Sequence, residues 1–274
     1  MNSLIGQIAG ARLQKGTAML WWLGQMGLMI RLGDTLLCVD YYARESSRRQ
    51  TPPPVPAGEV ARVDAFIGTH DHADHIDHGS WCVWAKTCPE ARFVFPEARR
   101  QSVLDDGIED VRCVGLNDGE SFCIGDVTVT ALAAAHEFLD LDPVSGLYPC
   151  LQYIIEGDGL RIYHAGDTLR YEGMLPRLKE FGTIDAALLP INGRDGARYR
   201  RGCIGNMTFQ EAADLAGGLR PRLVIPGHWD MFADNPGDPE AFKDYLEAKY
   251  GDLVRCVVPS VAEPIVISAG EKPI

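Results

Sequence analysis

Short strand-like runs punctuated by Gly-Asp turns, at least two helical segments set among them, and an apolar fraction large enough for a sizeable core predict a layered α/β domain for this 274-residue chain. At 46% hydrophobic content and with no repeat or low-complexity tract, residues 1–274 read as a single domain. The N-terminal MNSLIGQIAGARLQKG lacks the apolar run of a signal peptide, and no stretch approaches the ~18 apolar residues of a membrane span, so a cytoplasmic protein with no membrane partner is expected.

The elements follow in order. LWWLGQMGLMIRLGDTLLCVDYY, residues 20–42, alternates apolar runs with turn signals at Gly24–Gly27 and Gly33-Asp34, which predicts an antiparallel meander. A Pro-rich, partly basic loop comes next. VDAFIGTH reads as a buried strand and IDHGSWCVWAKTC as a helix, its apolar residues recurring at three and four. ARFVFP, VRCVGL, ESFCI, VTVTALAAAH, LQYIIEG, LRIYHAGD and IDAALLPI read as successive short strands. TFQEAADLAGGLRP predicts a helix opened by a Thr208–Glu211 capping box and stopped by Gly217-Gly218 and Pro221; the strand LVIPGH follows.

Composition narrows the partners. A net charge of -12 disfavours nucleic acid and anionic membrane. The eight cysteines contain no Cys-x-x-Cys pair and most lie in apolar runs such as LLCVD and SFCIG, which predicts reduced, packed thiols.

Four of the seven histidines fall in GTHDHADHIDH, interleaved with Asp71, Asp74 and Asp77. Four predicted strands also end in a potential metal ligand: His70, His136, Asp167 and His228. Strand ends of layered α/β folds open together on one edge, where active sites are built. In an extended segment His70 and His72 project to the same side and can hold one ion, while Asp74 and His75 reach a second. His136 is the natural third ligand of the first ion and His228 of the second, with Asp167 able to bridge both through its two oxygens. His78 and His164 lie beside this pattern but outside it, and are expected to support it or the fold.

THDHADH matches the H-x-H-x-D-H motif of the metallo-β-lactamase superfamily, and His136, the Gly-Asp pair of HAGDT and the PGHWD segment follow in the expected order. The resemblance covers essentially the whole chain. It implies a four-layer αββα sandwich with a binuclear site at one edge of the two sheets, and zinc or manganese as the two divalent ions. More narrowly, WLGQMGLMIR, THDHADHID, LLPINGRD, IGNMTFQEA and IPGHWDMF resemble the branch containing L-ascorbate 6-phosphate lactonase.

Five imidazoles and two carboxylates without a thiolate form a borderline donor set that zinc, manganese and iron can all occupy. Two ions in that shell make hydroxide available at neutral pH, and Asp74 and Asp167 are the expected catalytic residues, Asp74 as proton acceptor. The loop 191–206 holds Arg194, Arg198, Arg200 and Arg201, so it reads either as a solvated basic loop or as an anion receptor, with Asn192, Arg194 and Asn206 as substrate contacts. Arg48 and Arg49, in the Pro-rich loop, read first as part of an ordinary surface loop and alternatively as a cap on the site from the other side. The resulting expectation is a hydrolase opening the lactone of a small anionic sugar derivative; the alternatives are a phosphodiesterase and a non-catalytic metal- or ligand-binding protein. Assembly as a monomer or homo-oligomer is left open.

Overall fold

The computed structural model describes residues 3–270. Two seven-stranded sheets lie face to face. The first contains β1 (Thr17–Trp22), β2 (Leu28–Leu32), β3 (Thr35–Val39), β4 (Ala65–Ile67), β5 (Arg92–Pro96), β6 (Cys113–Leu116) and the last strand, β14 (Pro264–Ser268), which returns to pair with β1. The second contains β7 (Ser121–Ile124), β8 (Val127–Ala133), β9 (Leu151–Gly157), β10 (Leu160–His164), β11 (Ala186–Pro190), β12 (Leu223–Gly227) and β13 (Arg255–Cys256).

Each sheet is half antiparallel and half parallel. β1–β2–β3 form the expected meander, after which β3 through β6 pair in parallel. β7 through β10 are likewise antiparallel, and β10 through β13 parallel. A parallel step requires a crossover, and the crossovers carry the helices to the outer faces.

Alternation of side chains divides the apolar residues into three clusters. Leu20, Ile30, Val39 and Ile67 meet Val129, Tyr153, Ile162 and Ile225 between the sheets. On the outer face of the first sheet, Met29, Phe66 and Phe93 pack beneath α1 (Leu4–Gly10), α2 (His78–Thr87) and α3 (Arg100–Asp105). On that of the second, Ile154, Tyr163 and Val224 pack beneath α4 (Met174–Glu180), α6 (Phe209–Leu219) and α7 (Pro239–Tyr250); α5 (Gly196–Arg200) lies in the loop after β11. The architecture is the four-layer αββα sandwich.

Two local expectations are corrected. The Thr208–Glu211 capping box opens α6, but the helix runs through Gly217-Gly218 and ends at Arg220, whose left-handed backbone (φ 57°) supplies the stop. The glycines instead clear space for neighbours: a Cβ on Gly217 would lie 2.3 Å from the Tyr250 ring, and one on Gly218 2.8 Å from Leu175. All eight cysteines are free thiols, but Cys123 is exposed on the edge strand β7, because SFCI there has only one partner strand. No described helix is long and apolar enough to cross a membrane.

Candidate metal centre

The ligand-type residues lie just past their strands. His70, His136 and Asp167 each come three residues after β4, β8 and β10 end, and His228 directly follows β12. The strands are therefore shorter than their apolar runs suggest, and loops aim the side chains into a common cleft between the sheets.

His70, His72, His136 and Asp167 form one group of converging ligand atoms, and Asp74, His75 and His228 a second. In the first, His72 Nδ1 lies 2.9 Å from His70 Nε2 and 3.2 Å from His136 Nε2. Asp167 stands between the groups: Oδ1 is 3.3 Å from His75 Nε2, and Oδ2 is 3.2 Å from His228 Nε2 and 3.9 Å from His136 Nε2. Asp74 Oδ2 lies 3.6 Å from His228 Nε2 and 3.8 Å from His75 Nε2.

Charge on these groups is set by burial and mutual proximity. Burial disfavours the imidazolium of His70, His72 and His136 and lowers their pKa values, that of His136 to about 4, so the three offer neutral nitrogen lone pairs. Burial would also raise Asp167, but His228 and His75 overcome it and hold the carboxyl well below its usual range. Asp74 is lowered against burial by the same two histidines. Against burial again, Asp167 holds His228 up, and Asp167, Asp40 and Asp74 hold His75 well above the ordinary histidine value.

The donor set fits a divalent cation. His75 Nε2 and Asp167 Oδ1 are buried without a hydrogen-bond partner although they face each other, an arrangement that requires either a proton or a cation between them. Neutral imidazoles whose nitrogens converge supply the rest of such a site.

A ring of residues absent from the sequence expectation fixes these ligands. Asp40, buried at the end of β3, accepts from Thr69 N (2.8 Å) and Thr69 Oγ1 (2.6 Å) and takes the Nδ1 proton of His75 at 2.7 Å. With its own proton directed to Asp40, Thr69 Oγ1 accepts from His70 Nδ1 at 3.1 Å, so Nε2 is the nitrogen that both histidines turn toward the cleft. Gln25 Nε2 donates to Asp74 Oδ2 at 3.0 Å, and its backbone is pinned by Asp230 at 2.8 Å. Gln25, Asp40 and His228 all adopt left-handed backbone, at φ 57°, 45° and 59°, a conformation costing of order 1 kcal/mol or more per non-glycine residue. The available signals were an acid closing the apolar run LLCV and a polar residue inside the turn LGQMG.

His164 and His78 stand outside the ligand groups. Buried His164 donates from Nε2 to Met26 O at 2.8 Å, tying the β1–β2 turn to the second sheet. His78 bridges Asp106 and Asp71 at 2.6 Å each, and these hydrogen bonds raise its pKa to about 10.

The expected substrate contacts are placed differently. Arg194 does not line the cleft: its guanidinium is bidentate to Glu211 at 2.6 and 2.8 Å and donates to Asn206 O, because the capping-box acid of α6 is its nearest counter-charge. Asn192 and Asn206 form a buried amide chain, Asn206 donating to Asn192 and Asn192 to Asn235, so they reach the cleft only through Asn235. Arg49 is spent on the carbonyls of Thr51 and Tyr42. The cavity over the ligands, about 340 Å³, is bordered instead by Arg48 and Arg201, with Tyr42, Phe232, Ile204 and Asp234.

Residues 34–229 match the beta-lactamase superfamily domain. The chain is 30% identical over 228 residues to a UPF0173 protein of Pyrococcus furiosus, covering 83% of this chain and 90% of that protein. It is 24% identical to a probable L-ascorbate-6-phosphate lactonase of Escherichia fergusonii, over 89% and 78% of the two chains. Its fold is similar to that of a metallo hydrolase from the archaeon Ignicoccus hospitalis, with a TM-score of 0.71 at 22% identity over 91% of this chain and 98% of that one.

Proposed function

The chain is a metal-dependent hydrolase of the metallo-β-lactamase superfamily, and from that premise we propose that its cleft holds two divalent ions and opens the lactone ring of a small anionic sugar derivative. The observation carrying the binuclear reading is the position of Asp167, which belongs to the first group of converging ligand atoms while its two oxygens lie 3.3 and 3.2 Å from His75 and His228 of the second. His70, His72 and His136 would hold one ion, Asp74, His75 and His228 the other, and Asp167 both. Five imidazoles and two carboxylates suit zinc or manganese.

When bound, such a pair supplies hydroxide at neutral pH and polarises a carbonyl oxygen as it gains negative charge. The chain contributes the rest. Asp167 would screen the repulsion between the ions, and Asp74, fixed by Gln25 and bordering the cavity, would hold the nucleophile in line and take its proton. Asp40 and Thr69 keep His75 and His70 in the tautomers that leave Nε2 free.

The substrate class is supported by the likeness to the probable lactonase and by a cavity of small-molecule size. The test is steady-state turnover by metal-loaded protein of sugar lactones, their phosphates and a phosphodiester panel. Lactone hydrolysis is expected. Turnover of phosphodiesters alone would replace the substrate reading, and two bound ions with no turnover of either class would make the chain a binding protein.

A further inference from the structure

Two arginines from separate segments, Arg48 in the loop after β3 and Arg201 just past α5, meet at the exposed side of the metal cavity. One residue holds both. Arg201 Nη2 donates to the backbone carbonyl of Asp234 at 2.9 Å, and Arg48 Nη2 to its carboxylate at 3.3 Å. Arg48 also lies over the Phe232 ring, with Cζ 5.4 Å from the centroid. Neither guanidinium makes another hydrogen bond among the described residues, so each keeps most of its five donors for a ligand. Among the described residues they are the only arginines or lysines bordering the cavity, in a chain of net charge -12.

The counter-charge of Arg48 is loosely held. The Arg48 and Asp234 side chains are 70% and 52% exposed, and an ion pair so open to solvent is weak. A phosphate monoester, offering three oxygens to two planar forks, forms stronger charge-assisted bonds than a single carboxylate at 3.3 Å.

Resting on the reading of this cleft as a substrate site, we propose that Arg48 and Arg201 form a clamp for the phosphate of a phosphorylated substrate whose reacting carbonyl lies at the metal ligands, and that the Asp234 carboxylate occupies the Arg48 arm of the clamp until the phosphate displaces it. Tyr42, Phe232 and Ile204 border the same cavity and would line the sugar carbons between the two ends. Asp234 therefore acts as an internal competitor. Removing its charge strengthens phosphate binding, the opposite of what loss of an ordinary stabilising ion pair would do.

The experiment uses the metal-loaded full chain with two pairs of probes: a pentono-γ-lactone and its terminal monophosphate for turnover, and the corresponding open-chain pentonate with and without phosphate for calorimetric binding. Wild type should favour the phosphorylated member of each pair at least tenfold. Arg201→Ala and Arg48→Ala should each cut that preference several-fold, mainly through KM, with partial rescue in Arg201→Lys; Asp234→Asn should raise it. Equal preference in wild type and all four variants overturns the clamp, and a lower preference in Asp234→Asn overturns the competitor role. If no lactone is hydrolysed, the lactonase reading fails while calorimetry still decides the clamp. A lactone carrying a terminal carboxylate separates the anions: tighter binding of that probe than of the phosphate overturns the assignment to phosphate.

Discussion

Replacing Asp40 by asparagine changes one buried atom from acceptor to donor, and the structure gives the consequence in detail. The amide side chain of Asp40→Asn can keep an oxygen toward Thr69 N, but its nitrogen then faces two groups that donate to the wild-type carboxylate, Thr69 Oγ1 at 2.6 Å and His75 Nδ1 at 2.7 Å. To avoid two opposed donors, His75 must move its proton to Nε2, the nitrogen facing Asp167 and the second ligand group. The lost charge-assisted hydrogen bonds are worth about 1.5 to 3 kcal/mol each, so about 3 to 6 kcal/mol is divided between folding and metal binding. Loss of such an outer partner typically lowers metal affinity by about 10- to 100-fold. Zinc competition against a chromophoric chelator, with thermal melting of the metal-loaded protein to establish that the variant folds, measures both shares. A folded Asp40→Asn variant that binds zinc with wild-type stoichiometry and affinity would refute the argument that Asp40 sets the His75 tautomer.

Three further outcomes follow from the same geometry. Gly166→Ala should lower turnover and stability together, because Gly166 sits at φ 57° and its Cβ would lie 2.8 Å from Thr69 Cβ, so Asp167 is displaced; kinetics and chemical denaturation check both. His78→Ala should cost about 1 to 2 kcal/mol at about pH 6 after allowance for solvent screening; because folding raises the His78 pKa from 6.5 to about 10, the wild-type advantage is complete below about pH 6.5, declines above it and is lost as pH passes about 10, which urea unfolding at a series of pH values measures. Arg194→Ala should reduce stability by about 1 kcal/mol through loss of the Glu211 pair, leaving the ratio of phosphorylated to neutral lactone turnover unchanged; a collapse of that ratio would return Arg194 to the substrate site.

Much of this architecture is legible in the sequence because it rests on short-range rules. Short apolar runs separated by Gly-Asp turns mark strands β1 to β3 and β7 to β10, and His-x-His-x-Asp-His is too dense a set of donors for an ordinary loop. Asp40 and Gln25 escape notice because their role depends on a left-handed backbone and on partners 29 to 205 residues away along the chain, which spacing cannot show. Arg194 misleads for a related reason. Clustered arginines indicate a basic loop, but which of them faces the cleft depends on Glu211 capturing Arg194 and on Asp234 gathering Arg48 and Arg201 from separate segments. Gly217-Gly218 likewise reads as a helix stop locally, whereas Tyr250 and Leu175 require the space.

The central claim, that seven side chains hold two divalent ions with Asp167 shared between them, is tested most directly by counting metal. Plasma mass spectrometry on wild type and Asp167→Ala after equilibration with zinc and removal of free ion should give two ions per wild-type chain and at most one per variant chain, since the variant lacks the one carboxylate shared between the two ligand groups. Two tightly held ions in Asp167→Ala, or none in wild type, would contradict the account.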